Sequence, residues 1–256
     1  VFLISFLVYA LVGFRMSDPN QLGPGGDEPH YLLITHSLLY DHDLQIMNNY
    51  KQRDYQAFFQ GELKPHVSLG KHGIRYPGHP LGLPILLLPA YALKGYRGAV
   101  LFMNCLAAFL AVQLYLLTFA ITQHKRLALL LWVITSFTTP LFLYSSQIYP
   151  EIPSALLLAI ALRIIIPAVR PEPVEGHGLT SSPRTEFFPG TSCSQALVLR
   201  GTLAFLPWLQ QRMILPVVLL LGYYLVSLWR NCEGNRWSKQ IVYVAGIPVV
   251  LVALSG

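Results

Sequence analysis

The chain has 256 residues, 54% of them hydrophobic and 12% charged, with a mean hydropathy of +0.48. Soluble domains carry about 25% charged residues, so this composition excludes an ordinary soluble domain and predicts an all-α polytopic membrane protein. The net charge of +6 points to basic cytoplasmic loops rather than to nucleic acid. The widely spaced Cys105, Cys193 and Cys232 supply neither a disulfide framework nor a metal motif.

An apolar run at residues 1–14 begins without an initiator Met, and the chain stops at Gly256 within another such run. The expectation is a fragment of a longer membrane protein whose first transmembrane span is truncated. No small-residue cleavage site follows, which argues against a signal peptide. Residues 15–98 read as an extracytoplasmic loop with interfacial or re-entrant helices. Its polar part, 15–76, holds seven of the twelve acids and five of the eight histidines, and connections of this length are usually functional. Residues 85–93 are apolar but short for a span, which takes about 20 residues, and Pro84 and Pro89 interrupt them. A kinked membrane helix and a re-entrant one both fit.

Residues 99–169 are expected to form three transmembrane helices, at 99–122, 127–144 and 152–169. Residues 195–256 are expected to form about three more, at 196–209, at 213–229 and from 241 onward. Between these groups, 170–194 is polar, aperiodic and rich in Pro, Gly and Ser. It resembles a translated repetitive element found inserted in unrelated bacterial proteins, and disorder is expected there. Short basic loops stay in the cytoplasm. Lys125, Arg126, Arg230, Arg236 and Lys239 lie inside only if the first long loop is outside and 85–93 does not cross. Glu151 then shares the outer face with Asp27.

The stretch Gly25-Gly26-Asp27-Glu28-Pro29-His30-Tyr31 opens a short helix. Pro29 suits a first turn, where its missing N–H is not needed, and residues 31–40 show a wide apolar face. Asp27 and Glu28 therefore stand at a helix N-terminus, where unpaired N–H groups and the helix dipole favour anions. An ordinary N-cap explains them as well as a base or a metal ligand does. His30, His36 and His42 recur every six residues, which does not align them on one helical face; they read as interfacial polar groups. Lys71, Arg75 and His79 fall at i, i+4 and i+8, but Gly73, Pro77 and Gly78 argue against a helix. Glu151, between Pro150 and Pro153, caps the next helix or joins Glu28 at a divalent metal ion, since hard cations take carboxylate oxygens. Arg163 lies in an apolar span, where a charge is costly and usually functional; close to the cytoplasmic end it can instead snorkel, and snorkelling is equally open to Arg200.

The ordered set of motifs resembles the GT-C membrane glycosyltransferases, and within them the protein mannosyltransferase and aminoarabinose transferase group. The residues that carry the resemblance are Asp27-Glu28 with Tyr31, then Tyr76-Pro77-Gly78-His79-Pro80. A second acid follows in Ser145-Ser146-Gln147-Ile148-Tyr149-Pro150-Glu151. The likeness covers residues 1–163 and, less specifically, 200–229. It implies a GT-C-like helical bundle in a bacterial cytoplasmic membrane, and transfer of a sugar from a polyprenyl-phosphate donor to an extracytoplasmic acceptor. Asp27 takes the role of general base. Glu28, Arg75, His79, Glu151 and Arg212 are the residues expected to bind substrate, the cations through the leaving phosphate. The rival readings are a non-enzymatic polytopic protein, such as a transporter or polysaccharide-assembly component, and an inactive fragment. A transporter would be expected to show an internal repeat and midplane ionisable groups; instead, the acids cluster in one loop.

Overall fold

A computed structural model describes residues 1–16, 23–70, 75–169 and 193–231. It is 76% helix and 3% strand, in agreement with the all-α expectation. The elements, in chain order, are α1 (Phe2–Met16), α2 (Glu28–Tyr40), α3 (Met47–Gln52), β1 (Val67–Leu69), β2 (Arg75–Pro77), α4 (Gly82–Thr122), α5 (Lys125–Phe137), α6 (Leu141–Tyr144), α7 (Glu151–Val169), α8 (Cys193–Leu209) and α9 (Ile214–Asn231). They form two compact units.

The first unit, Val1–Leu156 with Trp208–Gln210, contains a helical bundle. On α1, Ser5, Tyr9 and Gly13 turn inward while Leu3, Leu7, Leu11 and Phe14 turn outward. This is the i, i+4, i+8 geometry of one helix face, but with the polar groups on the inside. The inner face is satisfied across the bundle. Trp132 Nε1 donates to Ser5 Oγ at 3.0 Å, and the Tyr9 hydroxyl donates to the Ser136 carbonyl at 2.9 Å. Asn104 Nδ2 donates to the Ser145 carbonyl at 2.8 Å and to Ser146 Oγ at 2.9 Å.

α4 is two helical arms. Lys94 (φ −145°, ψ 22°) and Gly95 (φ 56°, ψ −141°) leave helical geometry, and only glycine reaches the second of these conformations without strain. The turn is sharp enough that a side chain at Gly98 would strike the Ala90 carbonyl. The first arm, with Pro84 and Pro89, packs against α2, where Thr35 Oγ bonds the Tyr31 carbonyl at 2.8 Å and the Pro84 carbonyl at 3.5 Å. The second arm, from Tyr96 to Thr122, is about 40 Å long at ~1.5 Å per residue. Among the described residues, Gly82–Thr122 is the one helix both long and apolar enough to cross a membrane.

One expected span is interrupted. Residues 127–144 are not continuous helix: α5 ends at Phe137, Thr138 is extended (φ −119°, ψ 172°), and α6 restarts after a cis Thr139–Pro140 bond. Pro140 lacks the N–H that a continuing helix needs, and it disfavours helical geometry in the residue before it. The described residues of the expected loop fold as helices and turns, with the short antiparallel ribbon of β1 and β2 as their strand content, pairing Val67 with Pro77, Ser68 with Tyr76 and Leu69 with Arg75. Arg75 and His79 therefore do not share a helix, as Gly73 and Pro77 suggested, and Lys71 lies outside the described residues.

The second unit, Leu157–Pro207 with Gln211–Gly256, has an apolar core of Ala161, Ile165, Leu199, Leu203, Leu206, Val217 and Tyr224. The expected insert at 170–194, save the first residues of α8, and the expected span from 241 lie outside the described residues.

Candidate functional site

The site is built on the N-terminus of α2. Gly26 has φ +56° and lies where a side chain would strike the Tyr149 hydroxyl, so the turn into the helix requires glycine on two counts. Glu28 is buried, at 6% exposure. One of its carboxylate oxygens accepts from Gly25 N at 2.7 Å and the other from Ile148 N at 2.5 Å. Burial pushes the Glu28 carboxyl above its ordinary pKa, and these two N–H donors oppose that shift. Glu28 thus clamps residue 25 to residue 148, and no ligand is needed to explain it. Tyr149 completes the clamp: its hydroxyl donates to the Gly25 carbonyl at 3.2 Å and accepts from Asp27 N at 3.3 Å. The segment leading to Glu151 therefore sits against the Asp27 turn.

Asp27 occupies the N-cap position but makes no side-chain capping hydrogen bond. Its exposed carboxylate instead meets His30, His66 and His79, with one ligand atom from each residue lying within 4.8 Å of all the others. Three elements converge to make this cluster. His30 is held in the first turn of α2, behind Pro29. The β ribbon brings His66 and His79 together, because one histidine precedes β1 and the other follows β2. The ribbon closes with Gly78 N donating to the His66 carbonyl at 3.1 Å, and a Cβ at Gly78 would come within 3.0 Å of the His66 ring.

The imidazoles pack ring to ring. Centroids are 5.4 Å apart for His30 and His79, 4.5 Å for His66 and His79, and 5.5 Å for His30 and His66. Tyr50 braces two of them, its hydroxyl lying 2.7 Å from His30 Nδ1 and accepting from His66 N at 3.4 Å. Burial, reinforced by His79 and His66, lowers the His30 pKa to about 4 against the opposing pull of Asp27. Burial also lowers that of His79, with Asp27 again opposing. His79 Nε2 is buried without a hydrogen-bond partner.

The other expected site residues lie on other elements. Glu151 opens α7 and accepts from Gln210 Nε2 at 2.8 Å. Arg75 is exposed on β2, and Arg212 is exposed in the 3₁₀ turn Gln211–Met213 of the second unit. Glu151 is not part of the histidine cluster. His36 bonds the Tyr91 hydroxyl at 3.2 Å and His42 sits in a turn with φ 59°, so His30 alone of the three evenly spaced histidines reaches the site.

Two features escaped the sequence reading. His66 was not singled out, although a signal existed: the three clustered histidines are the ones that adjoin a proline, in Pro29-His30, Pro65-His66 and His79-Pro80. A fixed proline φ limits the local backbone and so preorganises the neighbouring ring. The second feature is a cavity of about 580 Å³ at the α4 bend, lined by Ala10, Gly13, Phe14, Lys94, Arg97 and Val100 among others. Arg97 lies over the Phe14 ring at 5.9 Å.

No family model, curated protein or solved structure matches the chain.

Proposed function

We propose that this chain is a multi-pass membrane glycosyltransferase of the GT-C type. It transfers a sugar from a polyprenyl-phosphate donor to an acceptor on the outer face of a bacterial cytoplasmic membrane, with Asp27 as general base. The observation that carries the proposal is the convergence of the separated motifs. Asp27-Glu28, His79 and Ile148-Tyr149, spread over more than a hundred residues of sequence, meet at the N-terminus of α2. Glu28 is consumed in holding that meeting point together. Asp27, one residue earlier, keeps its carboxylate exposed and uncapped, as a base that must approach an acceptor hydroxyl requires.

The membrane placement is supported by the outward faces of α1, α4 and α5. Leu3, Leu7, Leu11, Phe109, Leu130 and Ile134 are exposed there, while hydrogen-bonding side chains lie between the helices. This is the distribution favoured when lipid, not water, surrounds a bundle. The cavity at the α4 bend is the proposed berth for the donor. Lys94 and Arg97 offer cations to a phosphate, and Ala10, Phe14 and Val100 offer apolar wall to the prenyl chain. Pockets of this size are usual for small ligands.

The test is transfer from a polyprenyl-phosphate sugar by the full-length protein in membranes. Asp27→Asn is expected to lower the rate by roughly 10²–10⁴-fold while expression and insertion stay normal. Asn caps helices as well as Asp does, so near-normal transfer by this variant would remove Asp27 from catalysis and the proposal with it.

A further inference from the structure

We propose that Asp27, His30, His66 and His79 are the ligands of a divalent transition-metal ion of the zinc class. The inference concerns occupancy of the cluster and stands whether or not the chain transfers sugar. Its first support is the donor set. Three imidazoles and one carboxylate suit zinc and its neighbours, whereas magnesium and calcium take oxygen ligands almost throughout. The second support is geometry. The four ligand atoms lie within 4.8 Å of one another. Around tetrahedral zinc, with bonds of about 2.0–2.1 Å, they would stand roughly 3.3 Å apart. Each must therefore move inward by no more than about 0.9 Å, within reach of small side-chain rotations.

The third support is the state of the nitrogens. His79 Nε2 is buried and has no hydrogen-bond partner, an arrangement that costs free energy unless something absent from the protein occupies it. His30 has the outer-shell contact that metal-binding histidines need. In the tautomer whose Nδ1 proton is donated to the Tyr50 hydroxyl, 2.7 Å away, Nε2 keeps its lone pair for the ion. Partners of this kind fix the ring and its tautomer. The same hydroxyl accepts from His66 N, so one side chain positions two of the ligands. Finally, Asp27 and His66 are exposed whereas His30 and His79 are half-buried, so one side of the site is open to an incoming ion. A single carboxylate oxygen suffices as ligand, which leaves the second oxygen of Asp27 for an acceptor proton in the reaction proposed above.

The experiment uses the full chain purified in detergent, stripped with a chelator and then titrated with Zn²⁺ or with Co²⁺ alone. The expected result is one ion per chain, with the intense visible bands of four-coordinate Co²⁺. His66→Ala and His79→Ala are each expected to weaken binding by at least about 100-fold, and Tyr50→Phe by about 10–100-fold. His36→Ala, outside the cluster, is expected to leave binding unchanged. Because His66 is exposed, its variant reports on binding even if the change at His79 disturbs folding. Failure of the stripped wild-type chain to take up either ion would overturn the proposal, as would equal affinity in the wild-type and His66→Ala proteins. Stoichiometric metal in a chain that transfers no sugar would sink the transferase reading and leave this one standing.

Discussion

The stretch from α2 to β2 and the bundle of α1, α4 and α5 turn opposite chemistries outward. In the first, Leu32, Leu33, Ile34, Ile46 and Phe58 are buried, while Lys51, Gln52, Arg53, Glu62 and Lys64 face outward. In the second, Ser5, Asn104 and Ser136 are buried among Met103, Ala107, Leu110 and Ala128, and leucine and phenylalanine face outward as well, with Leu11 at 66% and Phe14 at 70% exposure. Apolar burial drives folding where water is the surroundings. Where lipid surrounds a helix there is no such drive, and packing plus interhelical hydrogen bonds must hold it instead. Under the function proposed above, one region of the chain faces water and the other faces lipid. The cluster of Asp27, His30, His66 and His79 belongs to the water-adapted region, and Lys94 and Arg97 mark the bend in α4 above its long arm.

Truncating the water-type core is expected to have the largest effect on stability. Leu33 is fully buried, so Leu33→Ala should cost about 2–5 kcal/mol from lost transfer free energy and the cavity left behind. Limited proteolysis or thermal unfolding checks this, and a loss under 1 kcal/mol would mean that α2 is not held by its apolar contacts. The next test puts the same charge on both surfaces. Leu7→Lys on the outer face of α1 should disfavour membrane insertion by about 2.5–3.5 kcal/mol if it lies at the centre of the span, whereas Gln52→Lys on α3 should stay within about 0.5 kcal/mol of wild type. Equal tolerance of the two changes in an insertion assay would abolish the distinction. The smallest effect is expected inside the bundle. Ser5→Ala removes the acceptor of Trp132 Nε1, and interhelical hydrogen bonds of this kind average about 0.6 kcal/mol, with a maximum near 1.7. Unfolding in mixed micelles measures it, and a loss well above that range would show a water-type interior.

Much of this organisation was legible in particular residues. Pro29 after two acids marked the start of α2, and Gly73 and Pro77 excluded a helix through Arg75 and His79. The bend in α4 was half legible: Pro84 and Pro89 drew attention to the first arm, but the break falls at Lys94–Gly95, where a positive φ in a glycine left no mark in periodicity. The break at Pro140 was missed because residues 127–144 carry no charge and are apolar on average despite Thr138-Thr139-Pro140, and hydropathy averaged over a window does not register one absent N–H. For Glu28 the sequence offered only a carboxylate. Its use as a clamp depends on Ile148 N, a backbone donor that no side-chain pattern encodes.

By itself, then, the sequence determined the all-α class, the polar character of residues 15–76 against the apolar segments around them, and the helix start at Asp27. These follow from composition, from periodicity and from proline chemistry, all of which act within a few neighbouring residues. Only the tertiary structure decided which of two adjacent acids is free, Asp27 or Glu28, and which histidines meet. Burial and ligand geometry are set by groups far apart in the chain: Ile148 and Tyr149 reach across to residues 25–28, and the pairing of Val67–Leu69 with Arg75–Pro77 is what carries His66 to His79.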